Sequence, residues 1–453
     1  MKKTVLYTTL LSVFAGAVTV FGVILCISLS QNSGAADKSG WDMYLMLPKP
    51  ASVIIAIVLL ILDALCVFMA VTLTVSYVKS SKAVNDADKK SDKPRFCRLA
   101  EIDKNGPGRD DDAAFNDRVG LDEFCRGFRN FAASEMKLYY GEEVIRSFIA
   151  GLSCTHLIIL EGISGTGKTS LPFAFGRYVG RGASVTPVQP SWKDRSDLLG
   201  YYNEFTDSYT ETELLCDLYK ANLTDDIYTV VLDEMNIARV EYYFAEFLSL
   251  LELPEGTSRR VRVTADSRQS DPDKFINGTL ELPSNVWFVG TANNDDSTLA
   301  VSDKVYDRAF VIELNSRSEK FDAPETGRSR ISATRLKDLF KTARTSYPVQ
   351  QKTRAGIAEL DDYLLRHVGL TFGNRVMRQA ESFIPVYIAC GGAENDAVDV
   401  LLRNKILYKM DSLNPVICRA ECDGIIKTVE RIFGEGELYR SVSYLKKFRS
   451  DAI

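Results

Sequence analysis

The stretch Gly162-Ile-Ser-Gly-Thr-Gly-Lys168-Thr169 decides how the rest of the chain is interpreted. It has the spacing G-x-x-x-x-G-K-[ST], in which a glycine-rich turn brings backbone N–H groups close to phosphate oxygens. An apolar run at residues 156–160 precedes it and predicts a buried strand. A helix after the turn would present its N-terminus to negative charge. The stretch therefore predicts a phosphate-binding loop between a strand and a helix.

The residue types of this loop predict how a nucleoside triphosphate and Mg²⁺ are held. Lys168 is expected to reach the β and γ phosphates, and the Thr169 hydroxyl is expected to ligate the metal. The other residues expected to bind the nucleotide are Gly162, Ser164, Gly165, Thr166, Gly167 and Ser170.

Two further apolar runs end in polar residues that suit the same chemistry. Residues 228–232 end in Asp233-Glu234, where Asp233 would hold Mg²⁺ and Glu234 would act as general base on the attacking water. Residues 286–292 end at Asn293, whose side chain would orient that water. These three residues complete the predicted hydrolytic site.

The alternation of strands and helices predicts the fold class. A fourth apolar run, residues 309–314, follows Asp307-Arg308, and residues 122–152 have apolar positions at helical spacing. Strands that alternate with helical stretches predict a three-layer α/β core with a mainly parallel sheet.

Composition adds few constraints. The 453 residues carry a formal net charge of −5, so there is no global signal for nucleic acid binding. The nine cysteines form no Cys-x-x-Cys pair, and there are two histidines, so zinc binding is not indicated. Cys418 and Cys422 are interpreted as packed helix residues, and the odd cysteine count favours reduced thiols.

Two long apolar runs lie near the amino terminus. Residues 4–36 have no charged side chain, and residues 51–78 have only Asp63, which is interpreted as a protonated or helix-paired carboxyl. Each run is long enough for a helix that crosses a bilayer, which needs about 20 residues. Basic residues are concentrated at 79–95, and the positive-inside rule then predicts a membrane protein with two spans and a cytoplasmic nucleotide domain.

These features give a complete domain prediction. The predicted segments are a first transmembrane helix at 1–30, an extracytoplasmic loop at 31–50, a second transmembrane helix at 51–78, a charged tether at 79–118, a P-loop core at 119–320 and a helical lid with C-terminal helices at 321–453.

The motifs together resemble AAA+ ATPases of the MoxR/dynein-related group, and most of all the McrB-type motor subunits of restriction systems. The box Asp233-Glu-Met-Asn236 resembles the extended Walker B motif of that group. The stretch Gly290-Thr-Ala-Asn-Asn-Asp-Asp296 resembles the McrB signature, with Asn293 followed three residues later by Asp296. Asn294 and Asp295 replace the usual Thr-Ala, and Ser297 replaces an arginine, so ATP is expected instead of GTP.

The resemblance also implies roles for two arginines. The segment Ser302-Asp-Lys-Val-Tyr-Asp-Arg308 resembles the one that supplies an arginine finger, so Arg308 would enter the site of a neighbouring subunit. Gly373-Asn-Arg375 resembles sensor 2, which implies that Arg375 reaches the phosphates of its own chain. The alternative for both arginines is a structural ion pair. The resemblance also implies that copies of the chain assemble into a homo-oligomeric ring, which would be a hexamer.

Several functions remain open from the sequence. The favoured one is ATP-driven remodelling or translocation by a membrane-anchored ring that acts with a separate effector or client protein. The partner would be a nuclease in a McrB-like system or a client complex for a MoxR-like chaperone. A nucleotide-gated membrane scaffold with little turnover is the non-enzymatic alternative. The aromatic stretch 190–202 is interpreted as a packed insertion or a pore element. The hairpin expected from Arg259-Arg-Val-Arg262 could contact nucleic acid, but three arginines make a weak patch, so this contact is possible but unsupported.

Overall fold

The computed structural model describes residues 94–108, 114–254, 256–293 and 298–450, together with scattered positions between Gly16 and Ser76. The chain divides into two compact units, Met1–Lys93 and Pro94–Ile453. The second unit contains the phosphate loop and all of the predicted site residues.

The prediction of two transmembrane helices is wrong, and so is the multi-pass membrane localisation that depends on it. Hydropathy indicates a span only where one continuous helix of about 20 residues is apolar. Among the residues that the structure describes, no helix is both long enough and apolar enough to cross a membrane. Most of the two apolar runs, including Asp63, lies outside the described residues.

The described part of the chain alternates between strands and helices. The strands are β1 (Leu157–Gly162), β2 (Ala183–Pro187), β3 (Gly200–Asn203), β4 (Ser208–Glu211), β5 (Tyr228–Asp233), β6 (Arg260–Arg262), β7 (Phe275–Ile276), β8 (Thr279–Glu281), β9 (Val286–Asn293) and β10 (Phe310–Glu313). The helices are α1 (Cys97–Asn105), α2 (Leu121–Met136), α3 (Glu142–Leu152), α4 (Ser170–Tyr178), α5 (Ser196–Leu199), α6 (Glu213–Ala221), α7 (Val240–Tyr243), α8 (Ala245–Leu251), α9 (Asp303–Tyr306), α10 (Ala333–Ser346), α11 (Gln351–Val368), α12 (Gly373–Ala389), α13 (Glu394–Leu401), α14 (Pro415–Phe433) and α15 (Tyr439–Ser450).

A five-stranded parallel sheet with the order β10-β1-β9-β5-β2 forms the centre of the second unit. Every residue of β1 is buried, as expected for a parallel strand covered on both faces. The predicted parallel α/β core is therefore confirmed. The sequence did not predict β2, a half-exposed edge strand without an apolar run.

Two apolar cores cover the two faces of the sheet. Successive residues of a strand point to opposite faces, and Ile158 accordingly packs in one core and Ile159 in the other. The first core contains residues of α2, α3, α4 and the C-terminal helices α10 to α15. The second contains residues of α5 to α8. Together the three layers place the carboxyl ends of all five strands along one edge of the sheet.

The helix predicted over residues 122–152 is interrupted. Lys137 ends α2 in the left-handed conformation with φ 58°, and α3 begins after Gly141. The turn between the two helices brings Tyr140 towards the phosphate loop, where its hydroxyl donates a hydrogen bond to the Gly167 carbonyl at 3.0 Å. The helical period of the sequence did not reveal this break.

Two small antiparallel sheets extend from the core. The predicted hairpin after Arg259 is confirmed, with β8 between β6 and β7. The stretch 190–202 forms α5 and the first strand of the β3–β4 hairpin, while Trp192 packs on Tyr243. These contacts support the interpretation of Trp192 as part of a packed insertion.

Part of the stretch predicted as a tether is folded against these small sheets. Arg95 is fully buried, with its Nη1 2.6 Å from Asp266 and its Nε 2.7 Å from Asp271. Its backbone carbonyl accepts a hydrogen bond from the Tyr209 N–H, and the neighbouring Phe96 ring stacks on that tyrosine. The segment around Arg95 therefore contacts both small sheets, and removing one partner of the buried Arg95–Asp271 pair typically costs about 3–5 kcal/mol.

Candidate functional site

The phosphate loop lies between β1 and α4, as the sequence predicts. Gly162 ends β1 with φ 143°, and a Cβ there would lie 2.2 Å from the Leu314 carbonyl oxygen. Gly167 has φ 94°, in the region that side chains disfavour. Both positions therefore require glycine, and the helix α4 begins directly after the loop, where a helix N-terminus favours an anion.

The side chain of Lys168 folds back into the phosphate loop. Its side chain is buried, and its Nζ donates hydrogen bonds to the carbonyls of Gly162 at 3.0 Å and Ile163 at 2.8 Å. Among the other predicted contacts, the Thr166 hydroxyl donates to the Ile163 carbonyl at 2.9 Å, and Ser164 is exposed on the loop. The ammonium group is thus held inside the loop by the loop backbone.

The two predicted metal ligands are in direct contact. The Thr169 hydroxyl donates to Oδ1 of Asp233 at 2.7 Å, and the Thr291 hydroxyl donates to the same oxygen at 2.9 Å. Among the described residues no group of three or more His, Cys, Asp or Glu side chains is suited to a metal. Magnesium is commonly held by one or two protein oxygens together with phosphate oxygens, so this pair fits Mg²⁺ bound with a nucleotide.

Glu234 has an unusual backbone conformation beside this pair. Its φ of 52° and ψ of 47° are left-handed, and its N–H donates to the Thr291 hydroxyl at 2.8 Å. Such a conformation costs on the order of 1–3 kcal/mol and persists where the surroundings fix it. The result is an exposed carboxylate next to Asp233, where a general base would have to lie.

Asn293 ends β9 opposite Gly162 in the strand register. Its backbone carbonyl accepts a hydrogen bond from the side-chain amide of Asn236 at 2.9 Å, and that amide also donates to the Leu299 carbonyl at 3.1 Å. Asn236 thereby links the Asp-Glu segment to the end of β9. Residues 294–297, with Asp296 of the predicted signature, lie outside the described residues.

The sequence analysis missed three residues of this site. Thr291 bonds Asp233 and Glu234, Tyr140 bonds the loop at Gly167, and the Nε of Arg317 donates to the Gly165 carbonyl at 2.9 Å. Burial raises the pKa of Tyr140 well above its ordinary value, so its hydroxyl remains a donor. The position of Arg317 just after β10 was the available signal, because parallel strands end at one edge of the sheet.

Arg308 lies at the opposite edge of the sheet from the phosphate loop. Its carbonyl accepts a hydrogen bond from the Thr155 hydroxyl at 2.9 Å, two residues before β1 begins, whereas the loop starts where β1 ends. At about 3.3 Å per strand residue the two positions are separated by roughly 20 Å. The side chain of Arg308 therefore does not reach the phosphate loop of its own chain.

Arg375 lies beside Arg308. It forms an ion pair with Glu252, and the Nη2 of Arg308 is 2.8 Å from the other oxygen of the same carboxylate. Arg375 is also 4.0 Å from Asp307. The structure brings the two arginines together and keeps both away from the loop of their own chain, so it does not place Arg375 in the position that the resemblance to sensor 2 implied.

One arginine of the basic hairpin is paired with a carboxylate, and another is buried within the chain. Arg260 pairs with Glu281 at 3.1 Å, and Arg259 is buried and donates to the Leu253 carbonyl at 2.5 Å. Arg262 remains on the exposed side of β6. The hairpin thus offers little positive charge, and its geometry gives no support for nucleic acid contact.

No protein-family model and no curated protein matches the chain. Among solved structures, the chain is similar to a full-length MCM homologue from Methanopyrus kandleri, at 12% sequence identity and a TM-score of 0.35. The match covers 63% of this chain and 60% of that one, so the chain spans less than two thirds of the length of that protein. A similarity of this size does not identify a function, which has to come from the residues of the site.

Proposed function

We propose that the chain is an AAA+ ATPase that hydrolyses ATP with Mg²⁺ at the boundary between two copies of itself in a ring. The observation that carries this proposal is the group formed by Thr169, Asp233 and Thr291 beside the exposed carboxylate of Glu234. A phosphate loop, a metal-binding pair and a general base at one edge of a sheet are the parts that nucleoside triphosphate hydrolysis needs.

The proposed mechanism assigns one task to each residue. Lys168 and the N–H groups at the start of α4 bind the phosphates, while Thr169 and Asp233 hold the metal, which supplies positive charge when it is bound. Glu234 takes the proton from the attacking water, and Asn293 orients that water. Arg317 is a candidate second cation of the same chain because it already contacts the loop.

The ring is part of the proposal because the arginines face away from the loop. Catalysis of phosphoryl transfer gains much from a cation that meets the transferred group in the transition state. Arg308 and Arg375 lie roughly 20 Å from the loop of their own chain by strand length, and both side chains are partly exposed. In our proposal they serve the nucleotide of a neighbouring copy.

Measuring basal turnover of ATP by the purified chain tests the proposal directly. We expect turnover that needs Mg²⁺ and is lost in Glu234→Gln with binding retained. Binding without turnover in the wild type would support a nucleotide-gated scaffold instead. Competition between ATP and GTP tests the expected preference for ATP, and a clear preference for GTP would restore the closer analogy to McrB.

The separate effector or client is the remaining part of the proposal. The resemblance of Asp233-Glu-Met-Asn236 to the extended Walker B motif supports a motor subunit of the McrB or MoxR kind. Purification of the native complex distinguishes these, since a nuclease in the complex supports a defence system and a client assembly supports a chaperone.

A further inference from the structure

The carboxylate of Glu252 joins three separate segments of the chain. Glu252 follows the last residue of α8, Arg308 precedes β10, and Arg375 lies in the first turn of α12. Its Oε2 is 2.8 Å from the Nη2 of Arg308, and its Oε1 is paired with the Nη2 of Arg375. One carboxylate therefore fixes the ends of two arginine side chains that come from different elements.

The carboxylate of Glu252 lies between the two arginines, and Asp307 lies 4.0 Å from Arg375 as a second anion. Two guanidinium groups that share one carboxylate repel each other, and the charge of Glu252 offsets that repulsion. Burial acts to raise the pKa of Glu252, but Arg308 and Arg375 outweigh it, and the pKa of the carboxyl is lower than its ordinary value. Glu252 is therefore ionised at neutral pH and remains a partner for both cations.

The pair keeps donors for a further anion. A guanidinium has five N–H donors, and Glu252 accepts from one nitrogen of each arginine. The side chains of Arg308 and Arg375 are 27% and 42% exposed, so a group on another molecule can approach them.

The backbone around Arg308 is held from the C-terminal helices. Lys405 is buried in the π-helical turn Leu402–Ile406, and its Nζ donates hydrogen bonds to the carbonyls of Tyr306 and Ala309, both at 2.7 Å. Because these carbonyls lie on either side of Arg308, the backbone there has little freedom to move. The direction of the arginine side chain is then left to the contact at its tip.

We propose that Glu252 is a positioning residue, which holds Arg308 and Arg375 side by side so that both meet a phosphate group of the nucleotide bound by a second copy of the chain. This inference rests on the proposed function and adds to it the residue that sets the geometry of the arginine pair. Without the carboxylate the two cations separate, and each regains side-chain freedom that has to be lost again when it meets a phosphate.

The variant Glu252→Gln in the full-length chain tests this role, because it keeps the size of the side chain and removes its charge. We expect kcat for ATP to fall by about ten- to a hundredfold, because misplacing a catalytic group by about 1 Å can lower the rate by up to about a hundredfold. The KM for ATP and the mass of the ring should stay unchanged, since the substitution leaves the phosphate loop of every subunit intact. Glu359→Gln is the matched control, because Glu359 pairs with Arg431 as an exposed carboxylate of α11.

Mixed rings separate positioning from a purely structural role. A Glu252→Gln subunit has an intact phosphate loop, and a Lys168→Ala subunit has an intact arginine pair, so an interface between them is complete. We expect mixtures to hydrolyse ATP faster than either variant alone. No recovery in rings whose mixed composition is confirmed by mass, or an unchanged or higher kcat for Glu252→Gln alone, would overturn the proposal.

Arg308→Ala measured in parallel shows which proposal has failed. If Arg308→Ala is as active as the wild type, the arginine role in the proposed function is wrong. If Arg308→Ala is slow and Glu252→Gln is not, only the positioning role is wrong. If Glu252→Gln does not fold, Glu252→Asp replaces it, because it keeps the charge on a shorter side chain. This variant should give the same lowered kcat with an unchanged KM. Wild-type kcat in Glu252→Asp would also contradict the proposal.

Discussion

The two edges of the parallel sheet are built from different kinds of contact. At the carboxyl edge, the hydroxyls of Thr169 and Thr291 donate to Asp233 at 2.7 and 2.9 Å, and all three residues belong to the sheet or directly follow the phosphate loop. At the amino edge, Glu252 joins Arg308 and Arg375 from separate elements. The first group contains all of its contacts within one chain. The two arginines of the second group do not reach the phosphate loop of their own chain.

The strengths of these contacts differ in a way that suits the two roles. Ion pairs between partly exposed side chains contribute about 0–1 kcal/mol because water screens them. The Glu252 contacts therefore add little to the stability of the chain, and their proposed role is to orient the two arginines. The ammonium of Lys168 is buried and bonded to two carbonyls of its loop, so it is fixed before a nucleotide arrives. The comparison sets a carboxyl edge whose cation is held by the loop backbone against an amino edge whose two cations are held by one carboxylate.

Removal of the Lys168 ammonium is expected to have the broadest effect, because it acts on nucleotide binding and therefore on every later step. Lys168→Ala should weaken ATP binding by roughly a hundredfold or more, because truncating one partner of a buried charge pair costs several kcal/mol. Calorimetric titration with ATP and Mg²⁺ measures this, with Lys193→Ala as the control because Lys193 is exposed. If Lys168→Ala binds ATP like the wild type, the carboxyl edge is not the nucleotide site, and the assignment of different roles to the two edges is wrong.

Loss of Arg308 tests the other edge. Arg308→Ala should leave ATP binding intact and lower turnover by about a thousandfold or more, the effect typical of an arginine that acts in trans on a phosphoryl group. Mixing it with Lys168→Ala subunits should restore part of the activity, since one interface in such rings has both an intact loop and an intact arginine. An Arg308 that only stabilises its own chain would give no recovery at any mixing ratio.

The same mixing experiment decides the place of Arg375. In our proposal Arg375→Ala behaves like Arg308→Ala and is rescued by Lys168→Ala subunits. Recovery of Arg308→Ala without recovery of Arg375→Ala would return Arg375 to its own chain, as the sequence resemblance first implied.

Glu234→Gln should abolish hydrolysis without affecting binding. The amide cannot take the proton from water, so turnover should fall by about 10²–10⁴-fold, the usual contribution of a general base. Single-turnover hydrolysis and nucleotide binding measured on the same preparation separate the two effects. Wild-type turnover in this variant would show that another group at the carboxyl edge is the base.

The sequence predicted the carboxyl edge well because its signals are local. An apolar run followed by a polar residue marks the end of a buried strand. The spacing of the glycines and the lysine locates the phosphate loop. Such runs located β5 and β9, and their ends at Asp233 and Asn293 meet at one edge. The edge strand β2 was missed because Ala-Ser-Val-Thr-Pro is half-exposed and lacks an apolar run.

The amino edge could not be predicted because its contacts depend on the three-dimensional arrangement. Glu252 lies at the end of a helix with no motif around it, and its two partners are far away in sequence. Arg375 matched a motif by its neighbours, but the packing of α12 set its position. Thr291 likewise acquires its role only from the register of β9 beside β5.

Thr291→Val is expected to have the smallest effect and tests whether the carboxyl edge acts as one unit. The Thr291 hydroxyl donates to Asp233 and accepts from the N–H of Glu234, so it orients both the metal ligand and the base. Removing a group that orients a metal ligand typically lowers affinity or activity about ten- to a hundredfold. We expect turnover to fall within this range and the Mg²⁺ concentration needed for half-maximal activity to rise.

Thr229 provides the matched control on a neighbouring strand. Thr229 is buried in β5, and its hydroxyl has no hydrogen-bond partner among the described residues. Thr229→Val should therefore leave turnover unchanged and keep or raise the thermal stability, because it replaces an unsatisfied hydroxyl with a methyl group of similar size. If Thr291→Val behaves in the same way, the hydroxyl does not couple Asp233 to Glu234. The carboxyl edge would then depend on the backbone alone, and the contrast between the two edges would rest only on the position of the arginines.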